Sequence, residues 1–141
     1  MKKFKLLYVI NFFLFVLLLG CESSSSTNEN ICPQCNMPIK SKEYSSYLGS
    51  VYFDDMGCLI LWTKAKGKEP KDAMVFTKDT KQYIKATDAF YTIKERTPMG
   101  YGFTAYEKEQ PVSIKFGEMK LRMLRGEHMA NPKIRKQILG E

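Results

Sequence analysis

Residues Met56 to Lys66 constrain this chain more than any other stretch. They run apolar through Cys58, Leu59, Ile60, Leu61 and Trp62, with Asp54-Asp55 ahead and Gly67 behind. An Asp before an apolar run and a Gly after it are the start and stop signals of a helix. A helix that is apolar on most faces has to be enclosed. Met56 to Lys66 is therefore expected to be the central core helix, capped by Asp54-Asp55. Cys58 on it reads first as a small buried hydrophobe and only second as a ligand.

Short strands surround this helix. Tyr44 to Leu48 and Val51 to Phe53 are joined by Gly49-Ser50, a two-residue link with Gly first, as a type II′ hairpin prefers. Gly67 to Asp72 is a polar loop, Ala73 to Thr77 a strand, and a second apolar stretch runs from Tyr83 through Ala89 to Ile93. Beyond Met99, Phe103 to Tyr106 and Val112 to Phe116 read as strands. A helix then opens at Gly117-Glu118 and ends near Arg125. The pattern is α+β. The segments after Met37 and after Met99 echo one another at an offset of about 62 residues, which suggests a duplicated unit over 35–93 and 99–139.

The first residues are expected to be an export signal, covering 1–20. Lys2, Lys3 and Lys5 precede an apolar run from Leu6 to Leu19 broken only by Asn11, shorter than the ~20 residues a spanning helix needs. It ends Leu18-Leu19-Gly20-Cys21, which resembles the lipobox of bacterial lipoproteins, with Cys21 as the lipidated residue. Glu22 after that cysteine favours the outer membrane, with the head facing the periplasm. The Ser-rich segment that follows completes a flexible tether over 21–31. A domain of about 110 residues, 32–141, remains, enough for one compact core.

Without Lys2, Lys3 and Lys5 the formal net charge falls from +7 to +4. No basic block interleaves with aromatics, so nucleic acid is not an expected partner. No Ser-His-Asp set, phosphate loop or carboxylate pair appears, and no enzyme is expected. With Cys21 lipidated, three cysteines remain of the four, an odd number that leaves at least one thiol outside any internal disulfide.

Two of them fall in Cys32-Pro33-Gln34-Cys35-Asn36-Met37-Pro38. A C-x-x-C pair suits a metal or a redox disulfide. In an extended segment residues i and i+2 share a side, so Cys35 and Met37 can grip one ion. Thiolate plus thioether selects Cu(I) over hard cations. Met99 lies in Pro98-Met99-Gly100-Tyr101-Gly102, whose glycines allow a mobile loop that closes over a soft ion. One thiolate with two thioethers gives Cu(I) a neutral centre, which limits the cost of burying it. On this reading Cys35→Ser hurts most and Cys32→Ser little. Cys32, Cys58 and His128, the single histidine, are weaker candidates. A closed zinc site of thiolates and imidazoles needs more of them than three cysteines and one histidine supply. The alternative function is a thiol-disulfide redox lipoprotein using Cys32 and Cys35.

In chain order, the lipobox, Cys35-Asn36-Met37, the stretch Phe53-Asp54-Asp55-Met56-Gly57-Cys58-Leu59-Ile60-Leu61-Trp62 and Met99-Gly100-Tyr101-Gly102 together resemble the NosL family. These are copper-binding accessory lipoproteins of nitrous-oxide reductase maturation. Asn36 stands where Gly is common among them. The resemblance implies two small ββαβ-like units packed as one domain, a fold shared with the organomercurial lyase. It implies Cys35, Met37 and Met99 as Cu(I) ligands. It also implies a copper chaperone serving the reductase beside an ABC-type membrane complex. The lyase chemistry itself would need two thiols and a carboxylic acid. Asp54 or Asp55 could supply the acid, but both have a sufficient role as helix cap.

Overall fold

The structure, a computed structural model, describes residues 31–141. The expected export signal, Cys21 and the expected tether up to residue 30 lie outside the described residues. Among those described, the fold is α+β, with two small antiparallel sheets and three helices. No described helix is long and apolar enough to cross a membrane.

The first sheet has the order β2-β1-β3-β4, built from β1 (Ser46–Leu48), β2 (Val51–Phe53), β3 (Met74–Phe76) and β4 (Tyr83–Lys85). Gly49 in the β1-β2 link has φ +61, the positive value a type II′ turn requires of its first central residue. Register then sorts the side chains. Phe53, Ser46, Val75 and Ile84 stand in one row across the four strands. The first three are buried. On the other face, the Tyr47 ring lies 5.0 Å from Tyr52 and 5.0 Å from Tyr83.

Helix α1 (Met56–Ala65) has only 10 residues, fewer than the ~12–15 at which isolated helices become even marginal. Packing must hold it. Met56, Cys58, Leu59 and Ile60 are all buried, and the helix lies against β1, β2 and the second helix. Full burial of a Leu or Ile contributes about 1.5–3 kcal/mol. Asp55 alone is its N-cap, accepting from Gly57 N at 2.9 Å. Asp54 is thereby released for another role.

The second sheet, β6-β5-β7, uses β5 (Phe90–Thr92), β6 (Thr104–Tyr106) and β7 (Ile114–Lys115). It differs from the echo read in the sequence. The two strands after Met99 do not pair with one another; β5 lies between them, with Tyr91 opposite both Ala105 and Ile114. The link between them is drawn aside instead. Asp79 accepts from Glu107 N and Lys108 N, both at 3.0 Å. Pro111, which has no N–H to donate, and Val112, at φ +63, also prevent a tight hairpin. Helix α2 (Phe116–Arg125) ends on Gly126 at φ 74, a left-handed cap. A third helix, α3 (Pro132–Leu139), follows the cap residue Asn131.

Candidate metal centre

Three elements converge near the start of α1. The chain from Cys32 to Met37 forms a tight turn, closed by Asn36 N to Cys32 O at 2.8 Å and Cys32 N to Met37 O at 2.9 Å. Asn36 holds φ +59 there, a left-handed conformation that Asn adopts more readily than most residues. This departs from the extended segment expected of Cys35 and Met37, because the reversal at Asn36 breaks the i, i+2 alternation. Cys58 enters from the first turn of α1, its N–H bonded to Asp55 O at 3.0 Å. Asp54 comes from the β2-α1 junction.

The result is a compact donor set. One ligand atom each from Cys32, Cys35, Asp54 and Cys58 lies within 4.8 Å of all the others, and the group could hold a metal ion. All three cysteines are free thiols. Cys32, Cys58 and Asp54 are buried, while Cys35 is partly open. Cys35 Sγ donates to Asp54 Oδ1 at 3.3 Å.

The thiols do not titrate alike. The Cys58 thiol bonded to Cys32 pulls Cys32 down to about 6, helped by backbone N–H groups of Cys35, Asp54 and Gln34 and opposed by burial. Cys35 is pushed up to about 11, by burial first and then by Cys32 and Asp54. The bond to Cys32 and then burial push Cys58 up as well. At neutral pH the thiolate is therefore on Cys32, a nucleophilic and metal-binding form. Among the described residues no Lys or Arg forms an ion pair with the cluster; the pairs Lys78–Glu95, Lys120–Glu69 and Arg122–Glu118 are all elsewhere. A buried anionic cluster without a counter-charge is costly, and a cation relieves it.

The methionines stand at the margin. Met37 is 46% exposed and lines a cavity of about 350 Å³ with Asp54, Tyr44, Arg96 and Pro98. Met99 packs against the core and lines a neighbouring cavity with Met129. Its loop is tied down rather than loose. Met99 N donates to Asp55 Oδ2 at 3.1 Å, Gly102 N to Thr97 Oγ1 at 3.0 Å, and Met129 N to Tyr101 O at 3.0 Å. Tyr101 lies over Gly57, where an added Cβ would sit 2.2 Å from Tyr101 Cδ2. Its phenol is pushed up to about 12, by burial and then by Cys58, Asp55 and Cys35. His128 packs edge-on against that ring at 5.0 Å, and its buried Nδ1 has no hydrogen-bond partner among the described residues. Burial pulls its pKa below the usual histidine range. It is not in the four-residue cluster.

Sequence reasoning passed over Asp54 as a cap, although two adjacent acids before one helix left one of them unassigned. Asp55 links the cap to the Met99 loop, since its two oxygens serve Gly57 N and Met99 N. Asp55→Ala should cost about 1–3 kcal/mol for each amide it orphans, read by urea unfolding. It should also speed hydrogen exchange at the Met99 amide, and unchanged exchange there would show that the bond is not made in solution. No family model, no curated protein and no solved structure matches this chain.

Proposed function

We propose that this chain is a Cu(I)-binding lipoprotein of NosL type. In this role it carries copper on a membrane anchor at Cys21 and passes it to a recipient, by resemblance nitrous-oxide reductase and its ABC-type complex. The observation that carries the reading is the convergence of three free thiols on one buried, uncompensated anionic cluster. Soft sulfur donors favour Cu(I). Proton count favours it too. Two thiolates and the Asp54 carboxylate around Cu(I) leave two net negative charges, the same as three thiolates and that carboxylate around a divalent ion. Cu(I) therefore needs one fewer thiol to lose its proton for an equal residual charge. Cys35 is the donor common to the cluster and to the Cys35, Met37, Met99 set. On this reading Met37 and Met99 receive the ion as it leaves.

An anaerobic Cu(I) titration against a competing chelator tests this. One Cu(I) per reduced chain is expected, held less tightly in Met37→Leu and in Met99→Leu. Failure of the reduced chain to compete sinks the reading. The reachable thiol of the pair is Cys35, which is pushed up to about 11 by burial first and then by Cys32 and Asp54. This works against the redox alternative, because exchange starts from a reachable thiolate.

One observation favours a second reading. Asp54 bonded to Cys35, with Cys32 and Cys58 adjacent, supplies the thiols and carboxyl group that cleavage of a carbon–mercury bond needs. There a thiol proton would pass to carbon as two sulfurs take the metal. Release of benzene from phenylmercury by the reduced chain would establish this reading, and its absence would remove it.

A further inference from the structure

We propose that Cys32, Cys35 and Cys58 together form a capture site for trivalent arsenic, taken up as arsenous acid. The inference goes beyond the copper reading and does not depend on it. It rests on geometry: three sulfurs within 4.8 Å of one another, two on one closed turn and the third fixed on the first turn of α1. Trivalent arsenic binds three sulfurs as a pyramid, with its lone pair on the remaining side. Three converging thiols match that count without any fourth donor.

The chemistry balances without a redox partner. As(OH)3, the thiols of Cys35 and Cys58, the Cys32 thiolate and one proton from solvent give As(SR)3 and three waters. Three As–O bonds break and three As–S bonds form. The two thiol protons and the solvent proton leave on the oxygens, and no electron changes hands. Both reagent and product are neutral, so loading this buried cluster avoids the desolvation that a multiply charged cation carries. Cys35, the partly open thiol, makes first contact. A cavity of about 350 Å³ is lined by Asp54, whose carboxylate accepts from Cys35.

The test uses the full chain, reduced, with Cys21→Ser so that these are its only thiols. Arsenite should bind at one equivalent. The mass should rise by one arsenic less three hydrogens, all titratable thiol should vanish, and the melting temperature should rise because the arsenic staples the turn to α1. Each of Cys32→Ser, Cys35→Ser and Cys58→Ser should lose arsenite at the concentration that saturates the parent. Phenylarsonous acid, which takes only two thiols, serves as the control for folding and access and should still bind Cys32→Ser and Cys58→Ser, which keep the open thiol Cys35. Met37→Leu and Met99→Leu should keep arsenite fully while weakening Cu(I), which separates this site from the copper reading. The proposal is overturned if the parent takes neither reagent, if it takes phenylarsonous acid but not arsenite, or if any single cysteine variant holds arsenite as tightly as the parent.

Discussion

Cys35→Ser is expected to lower Cu(I) affinity by more than about 100-fold at neutral pH, since even outer-shell partners of a metal site are worth about 10–100-fold. Cys32→Ser should now do comparable damage. Cys32 carries the resting thiolate, its pKa drawn down to about 6 by the Cys58 thiol and backbone N–H groups. This expectation differs from the small effect read from spacing alone, because Cys32 lies in the cluster. The two variants differ in their pH dependence. Cys35, pushed up to about 11, keeps its proton across the neutral range, so Cu(I) must expel it. Affinity of the unsubstituted chain should then rise about tenfold per pH unit from about 7 to 9. In Cys35→Ser that slope should vanish over the same range, because Cys32 has already lost its proton there. It should return only as pH falls below about 6, where protons reclaim Cys32. Competition titrations at several pH values read all of this. A flat profile in the unsubstituted chain would remove Cys35 as a ligand, and a slope of two would add Cys58.

The parts of this molecule visible in the sequence were those set by local signals. Asp55, Met56 to Ala65 and Gly67 give cap, apolar run and stop, and α1 lies there. Gly49 gives the hairpin. Local pattern is silent on partner choice, and β5 shows this. Its apolar run announces a strand, but nothing near it says that it will separate β6 from β7. That outcome depends on Asp79, distant in sequence, holding the amides of Glu107 and Lys108. The centre was half legible for the same reason. Cys32 and Cys35 share a turn, and their spacing is a motif. Cys58 in an apolar helix has the same sequence signature whether it packs or ligates, and only the meeting of α1 with that turn makes it part of the cluster. Asp54 was hidden by its neighbour, since either acid could have been the cap.

Gly102→Ala should be the most destabilising single-methyl change in the Met99 loop, costing about 2–6 kcal/mol. Two terms combine. Gly102 has φ +88, a conformation that costs a residue with a side chain about 1–3 kcal/mol. Its new Cβ would also lie 2.4 Å from Met129 Cγ and 2.7 Å from Ile93 O. Met129 can swing, but Ile93 O is backbone directly after β5 and cannot retreat without disturbing the central strand of the second sheet. Overpacking of this kind adds about 1–3 kcal/mol. Gly100→Ala is the matched control, because Gly100 has φ +71 and nothing within 4 Å of the added carbon. It should cost only about 1–2 kcal/mol, the left-handed backbone alone. Urea unfolding of both variants separates the terms, and equal costs would mean that the Ile93 contact is absent in solution. The consequence for the site is directional. Shifting Gly102 pulls Tyr101 off Gly57 and loosens Met99 from Asp55, whereas Cys32, Cys35 and Cys58 are held by other elements. Cu(I) affinity should therefore fall in Gly102→Ala below its midpoint of unfolding, while the thiol count and the thiol cluster stay intact. Unchanged copper binding in a loosened loop would leave Met99 as a packing residue.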